Sequence, residues 1–278
     1  MLNFNGKICH NNDLLFKAGN RAFNYGDQLF ETIRYSNGKL LFWDDHYFRM
    51  MGGACILRME IPINLNMDFL ESEILKTVYA SMLTFDSARV RLSIFRKDGG
   101  KYFPEDLSLD YLIEVEKLNH KNWEIPLKGL NIDVFHDHKK PSGALSNTKG
   151  IRSIVSVLSS IFANENKLNE AIILNSESYV CETTSSNIFV LVNNIILTPP
   201  LSSGCVDGII RKILLDHFND WGFKFEEKEL KTFQLVKAQE VFLTNSIKGI
   251  QWVSKYKNKT YSNSTSSILF RKLIEIAN

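Results

Sequence analysis

The sequence predicts an α+β fold in two domains, and three observations carry that prediction. Stretches of alternating apolar and polar residues recur in both halves of the 278 residues, as half-buried strands do. Helical periodicity separates them, most clearly over about residues 66–83 and 264–277. Between the halves, Asn119-His-Lys-Asn-Trp-Glu-Ile-Pro126 is polar and ends in proline, the composition of a linker. The expected division is a smaller α+β domain over 1–118, a linker over 119–126 and a larger, strand-rich domain over 127–278.

Taken in order, residues 2–9 and 12–16 alternate around Gly6 and Asn11-Asn12 and read as short strands. Tyr25 to Arg34 follows, and Ser36-Asn-Gly38 is a hairpin turn before Lys39-Leu-Leu-Phe-Trp43. Asp44 or Asp45 suits the cap of a helix carrying His46 and Arg49. A helix over about 66–83 spaces Phe69, Ile74, Val78 and Met82 as a stripe. Ala88 to Phe95 alternates as a strand, Arg96 to Pro104 is a basic, aromatic loop, and Tyr111 to Val115 returns as a strand.

Beyond the linker, Leu130 to Phe135 reads as a strand and His136 to Gly143 as a loop. A helix from about Ile151 to Asn166 comes next. Ala171 to Asn175 is a strand, Val180 to Val192 a bent strand pair, and Ile195 to Thr198 a strand before Pro199-Pro200. A helix over about 208–220 is followed by strands near 223–227 and a short helix over 232–238. Glu240 to Thr244 is a strand, Asn245 to Gly249 a turn, and Ser264 to Ala277 the last helix.

Composition narrows the function classes. With 33 basic and 31 acidic residues the formal charge is +2, which gives no ground for a nucleic-acid or membrane-surface partner. No apolar run approaches the ~18–20 residues of a membrane span, and the first residues lack the apolar core of a signal peptide. The four cysteines have no C-x-x-C spacing. A reduced, cytoplasmic protein is expected, and no metal site is assigned.

Three pieces between residues 147 and 211 carry the chemistry. Asn147-Thr-Lys-Gly150 places a lysine after a polar turn. Val180-Cys-Glu-Thr-Thr-Ser-Ser-Asn-Ile-Phe189 puts Glu182 at the end of an apolar arm. Gly204-Cys-Val-Asp-Gly-Ile-Ile-Arg211 is a glycine-bearing turn leading into an amphipathic helix, a ready phosphate site. An amine for a Schiff base, a carboxylate for a pyridinium nitrogen and an anion cradle together suit pyridoxal 5'-phosphate. Taken singly, each has an ordinary meaning: a solvated lysine, a strand-end carboxylate, a helix start.

From Phe23-Asn-Tyr-Gly-Asp27 to Thr244-Asn-Ser-Ile-Lys-Gly249 the motifs resemble, in order and spacing, those of class IV aminotransferases, the fold-type-IV pyridoxal-phosphate enzymes. That family includes branched-chain and D-amino-acid aminotransferases and 4-amino-4-deoxychorismate lyase. The resemblance spans nearly the whole chain and implies the two-domain fold of D-amino-acid aminotransferases.

It also implies roles. Lys149 would form the Schiff base and move protons at the substrate carbon, with Glu182 pairing with the pyridine nitrogen. Ser186, Asn187 and Phe189 complete the family's glutamate pattern. Backbone N–H groups of Ile209 and Ile210 would bind phosphate, and Val206 would pack against the ring. Arg49, in His46-Tyr-Phe-Arg49, would pair with the phosphate, with His46 structural. Ser246 would bond the phosphate, leaving neighbouring N–H groups, Ile247 among them, for substrate. Aminotransferases of the family often carry threonine where Ile210 stands.

Two features bear on substrate. Thr32 falls where the lyase branch carries a threonine proposed to assist catalysis. Arg96-Lys-Asp-Gly-Gly-Lys101-Tyr resembles the lyase-branch Arg-Gly-x-Gly-Gly-Arg-Gly, with Lys97 and Lys101 as departures. Arg96 and Lys101 are therefore expected to bind substrate carboxylates, with the loop reaching across a dimer interface as in relatives. The expected activity is 4-amino-4-deoxychorismate lyase, in a homodimer acting on a small-molecule amino substrate. The alternatives are an aminotransferase of branched-chain or D-amino acids using 2-oxoglutarate, and a non-catalytic binder. Roles for His136 and His138 stay open.

Overall fold

The computed structural model describes residues 1–10, 12–13, 16–84, 86–150 and 153–277. The chain divides into two compact units, Met1–Asn122 with Thr148–Arg152, and Trp123–Asn147 with Ser153–Asn278. Of the strand expected over 12–16, Leu14-Leu15 lie outside the described residues and the described Asn12, Asp13 and Phe16 are not strand; Ile151, at an expected helix start, also lies outside them.

The first unit contains β1 (Leu2–Phe4), β2 (Lys7–Cys9), α1 (Arg21–Tyr25), β3 (Gln28–Ser36), β4 (Lys39–Leu40), α2 (Trp43–Ile56), α3 (Met67–Ala80), β5 (Ala88–Arg96) and β6 (Leu109–Lys117). Its six strands form one antiparallel sheet in the order β2-β1-β6-β5-β3-β4. The period of two divides β3 between two faces. Leu29, Ile33 and Tyr35 face a core shared with Val90, Leu92 and Ile94 of β5 and with Met50, Ala54, Leu70, Ile74 and Val78 of the two long helices. The alternate residues Phe30, Thr32 and Arg34 take the other face.

The sequence reading of this unit needs three further changes. Helix α1, capped by the Asn20 side chain at the Phe23 N–H, was not expected; its five residues are too few to show a period. The strand expected over 39–43 stops at Leu40, because Trp43 turns into the core as the first residue of α2. Phe42, in a left-handed conformation, caps that helix. Asp44 and Asp45 lie in its first turn, where they complement the dipole without capping it.

The second unit contains β7 (Leu130–Lys140), α4 (Ala144–Asn147), α5 (Ile154–Glu165), β8 (Glu170–Asn175), β9 (Val180–Thr183), β10 (Asn187–Val192), β11 (Ile195–Thr198), α6 (Ile209–His217), β12 (Lys224–Glu227), α7 (Thr232–Lys237), β13 (Glu240–Asn245), β14 (Gly249–Tyr256), β15 (Lys259–Thr260) and α8 (Ser264–Ala277). Its nine strands form a mixed sheet, β12-β11-β10-β13-β14-β7-β8-β9, with β15 on β14. The apolar run of β8 and the residues Val180, Ile188, Val190, Val241, Leu243 and Val253 build its core.

Here too the reading is corrected. His136 to Lys140 is strand, not loop. β7 lies between two parallel neighbours, and its pairing with β8 resumes at Lys140–Asn175 after a register shift, although its side chains there are polar. β14 was missed, since Gln251, Ser254 and Lys255 dilute its apolar alternation; pairing with β13 holds it in place. Among the described residues no helix is long and apolar enough to cross a membrane.

Candidate functional site

The predicted residues fall into two sets, one in each unit. In the first unit, the short segment after Asn147 joins the free edge of β3. The Phe30 N–H donates to the Lys149 carbonyl at 2.9 Å, and Gly150 forms an isolated bridge with Leu29. This fixes the half-buried Lys149 so that its Nζ lies 4.8 Å from the centre of the Phe30 ring. Thr32, two residues on, shares the Phe30 face. The Arg91 guanidinium also lies over Phe30, 3.9 Å from the ring centre.

Arg49 reaches from α2 to Glu31 of β3. Its Nε donates to Oε1 at 2.8 Å and its Nη2 to Oε2, a bidentate fork. The His46 Nδ1 lies 2.7 Å from the same Oε2. Burial alone would raise the Glu31 carboxyl, but the Arg49 charge and the bonds from His46 and Arg49 outweigh it and hold it at about 2. Burial lowers His46 below its ordinary value against the pull of Glu31, with the Arg49 and Lys149 charges adding to the effect. The arrangement is thus an ionised carboxylate gripping a guanidinium, beside a neutral imidazole. Glu31 was missed in the sequence. Its signal was parity: an acidic residue in the core register Leu29-x-Glu31-x-Ile33 must have a partner.

In the second unit, Glu182 is buried in β9. Its Oε2 accepts the Val206 N–H at 2.9 Å and its Oε1 accepts the Lys140 ammonium at 2.6 Å. Burial opposes the Lys140 charge, but Glu182 outweighs it and raises the lysine above its ordinary value. Lys140 was also missed, because it stood in the stretch read as loop. Asn187 donates to the Val206 carbonyl at 2.8 Å, so this one residue is held at both its N–H and its C=O. Asn147 braces the same loop through the carbonyls of Leu201 and Cys205, at 2.8 and 2.7 Å.

The loop leads into α6 through Gly208, which offers no side-chain cap. A Cβ at Gly208 would stand 1.9 Å from the Asn187 Oδ1, so a larger residue there would push the Asn187 side chain from its place beside Val206. The Ile209 and Ile210 side chains are buried, and what these residues present is the uncapped backbone of a helix start. In the next turn, Asn245 donates to the Ser186 Oγ at 3.0 Å and accepts from the N–H groups of Ile247 (3.1 Å) and Lys248 (2.8 Å). Ser246 is half-buried, and the Thr244 Oγ1 is buried with no hydrogen-bond partner among the described residues.

Two expectations are corrected by this geometry. Arg96 does not face substrate: it is buried, and its Nε, Nη1 and Nη2 donate to Asp27 (3.0 Å), the Arg58 carbonyl (3.1 Å) and the Leu57 carbonyl (2.7 Å). It braces the start of the basic loop. The Ile247 N–H, expected to be left for substrate, is engaged by Asn245. Lys101 does stay exposed, its carbonyl held by Arg21 at 2.6 Å. His136 and His138 are exposed on β7.

Each unit holds groups whose chemistry suits pyridoxal phosphate. The first has the Lys149 amine and the Arg49 guanidinium, whose Nε and Nη2 are engaged by Glu31. The second has the buried Glu182 carboxylate, the uncapped start of α6 and, near the end of β13, the orphaned buried hydroxyl of Thr244.

Residues 28–256 match the family described as amino-transferase class IV. Aminodeoxychorismate lyase of Vibrio harveyi is 27% identical over 244 residues, covering 85% of each chain. D-alanine aminotransferase of Bacillus licheniformis is 24% identical over 261 residues, 87% of this chain and 83% of the relative. Among solved structures, the branched-chain aminotransferase of Thermoproteus uzoniensis with norvaline has a TM-score of 0.87 at 20% identity. It covers 99% of this chain and 93% of its own, a likeness of fold.

Proposed function

The chain belongs to the class IV aminotransferase family, whose members are pyridoxal-phosphate enzymes, and within it we propose that the activity is 4-amino-4-deoxychorismate lyase. The observation that carries this reading is the placement of Thr32. Its hydroxyl-bearing side chain shares the face of β3 with Phe30, the ring beside the Lys149 amine. The similarity to the Vibrio harveyi lyase supports the same reading, as does Ile210, which brings no hydroxyl to the helix start.

When bound, pyridoxal phosphate supplies an electron sink for charge left at the substrate carbon. Lys149 would hold it covalently, and Glu182, braced by Lys140 and Val206, would pair with its ring nitrogen. Arg49, Ser246 and the N–H groups of Ile209 and Ile210 would hold its phosphate, with Val206 against the ring and Ser186 supporting the Asn245 turn. Freed when the amino group of the substrate takes its place, Lys149 would take the proton from C4 of the substrate. The C3–O bond would break, the ring would become aromatic, and the departing enolpyruvate would be protonated to pyruvate with Thr32 assisting. Lys101 would meet a substrate carboxylate. The reading includes a homodimer in the cytoplasm.

An aminotransferase is the second reading, supported by the similarity to D-alanine aminotransferase. In it, Lys149 would carry the proton from the α-carbon of a branched-chain or D-amino acid. A paired assay separates the two: pyruvate and 4-aminobenzoate from 4-amino-4-deoxychorismate, against glutamate from 2-oxoglutarate with L-leucine, L-valine or D-alanine. Pyruvate release without transamination is expected. Transamination alone overturns the lyase.

A further inference from the structure

We infer that Trp123 is a positioning residue for the cofactor's phosphate, acting through the turn that carries Ser246. The inference rests on the reading of Ser246 as a phosphate ligand and adds a residue to it.

The turn Asn245–Gly249 joins two antiparallel strands, β13 and β14. From within, Asn245 fixes the N–H groups of Ile247 and Lys248 and ties the turn to Ser186. A further restraint comes from a residue 126 positions before Gly249. The Trp123 Nε1–H donates to the Ile247 carbonyl at 2.9 Å. The indole itself lies against Gly249. A Cβ there would meet its ring atoms Cδ2, Cε2 and Cγ at 3.2, 3.4 and 3.4 Å. Gly249 also has a φ of +67°, so space and conformation both demand glycine.

Trp123 is 8% exposed, so it is a fixed wall and not a mobile surface ring. It therefore holds both sides of a single residue, Lys248: the carbonyl before it and the glycine after it. Ser246 stands on the other side of that braced carbonyl. A hydroxyl can grip a phosphate only if its backbone does not swing, since each hydrogen bond tolerates a few tenths of an ångström. The Ile247 carbonyl and the Lys248 N–H belong to one peptide, so Asn245 holds that plane by its N–H and the indole holds it by its carbonyl. The role of Trp123 is thus orientation, at one remove from the ligand.

The test is titration of the full-length apoprotein with pyridoxal phosphate and, separately, with pyridoxal, which lacks the phosphate. Trp123→Phe keeps the ring and removes the donor. Its pyridoxal phosphate affinity is expected to fall about three- to tenfold, the range one hydrogen bond spans, with pyridoxal affinity unchanged. Gly249→Ala, which displaces the indole without removing it, should show the same selectivity. A loss equal for both ligands, or no loss, overturns the role of Trp123. Ser246→Ala separates the two layers of the argument. If it lowers affinity for the phosphorylated ligand while Trp123→Phe does not, the brace alone fails. If Ser246→Ala changes nothing, the phosphate reading of Ser246 falls and the brace with it.

Discussion

The Lys140 Nζ stands 2.6 Å from the Glu182 Oε1, and both side chains are nearly withdrawn from solvent. A buried pair of this kind is costly to break from one side, because the remaining charge keeps its desolvation without its partner. Lys140→Met should therefore lower the stability of the apoprotein by about 3 kcal/mol. If Glu182 meets the pyridine nitrogen, the bound cofactor supplies the missing positive partner. The rise in melting temperature on loading should then be larger in the variant than in the wild type. A smaller rise would argue against the Glu182 assignment.

Thr32 is the residue on which the lyase reading turns. Thr32→Val keeps the shape and the β-branch and removes the hydroxyl. Pyruvate release should fall by about a hundredfold or more, the usual span of general acid–base assistance. Cofactor affinity should stay as it was, and Thr32→Ser should retain most of the rate. An unaffected rate in Thr32→Val would remove the threonine from the mechanism.

How far the sequence discloses this site depends on what each residue interacts with. Lys149, Glu182 and the Gly208 helix start are legible because they sit at element junctions with a recognisable order. Their partners are not. Lys140 meets Glu182 across 42 residues of sequence from the last position of β7, and its polar neighbours hid that end of the strand. Arg96 misled for the opposite reason: it lies in a basic loop motif, yet three backbone and carboxylate acceptors draw it inward. Glu31 shows the middle case, since its core register was visible but the identity of its partner was not. Periodicity found most elements, and tertiary pairing decided β14 and the end of β7.

The Glu31–His46–Arg49 cluster sets a pH dependence of stability. His46 lies below its ordinary value of 6.5, so on acidification the unfolded chain takes up this proton first and stability falls. Glu31, at about 2 against 4.5, adds a second loss as the pH drops from 4.5 towards 2. That second step amounts to roughly 3 kcal/mol. Denaturation midpoints should decline steadily from about pH 7 downwards, and His46→Gln should flatten the upper part of the decline. A midpoint that rises on acidification would contradict the neutral imidazole.

Gly208 and Asn187 form a tight pair at the start of α6. Gly208→Ala would drive a Cβ to within 1.9 Å of the Asn187 Oδ1. The expected cost is about 2 kcal/mol, with weaker cofactor binding. Combining it with Asn187→Ala relieves the clash, so the double variant should be more stable than the sum of the single losses allows. Thermal melts of the four proteins measure that coupling; strict additivity would count against the contact.

The most direct test of the account is to find where the cofactor bonds. Borohydride reduction of the pyridoxal phosphate-loaded protein makes the lysine linkage permanent, and peptide mass mapping then identifies the residue. The account predicts the label on the peptide containing Lys149, and none in Lys149→Ala. A label on Lys140, the buried lysine beside Glu182, or on any other lysine would contradict it.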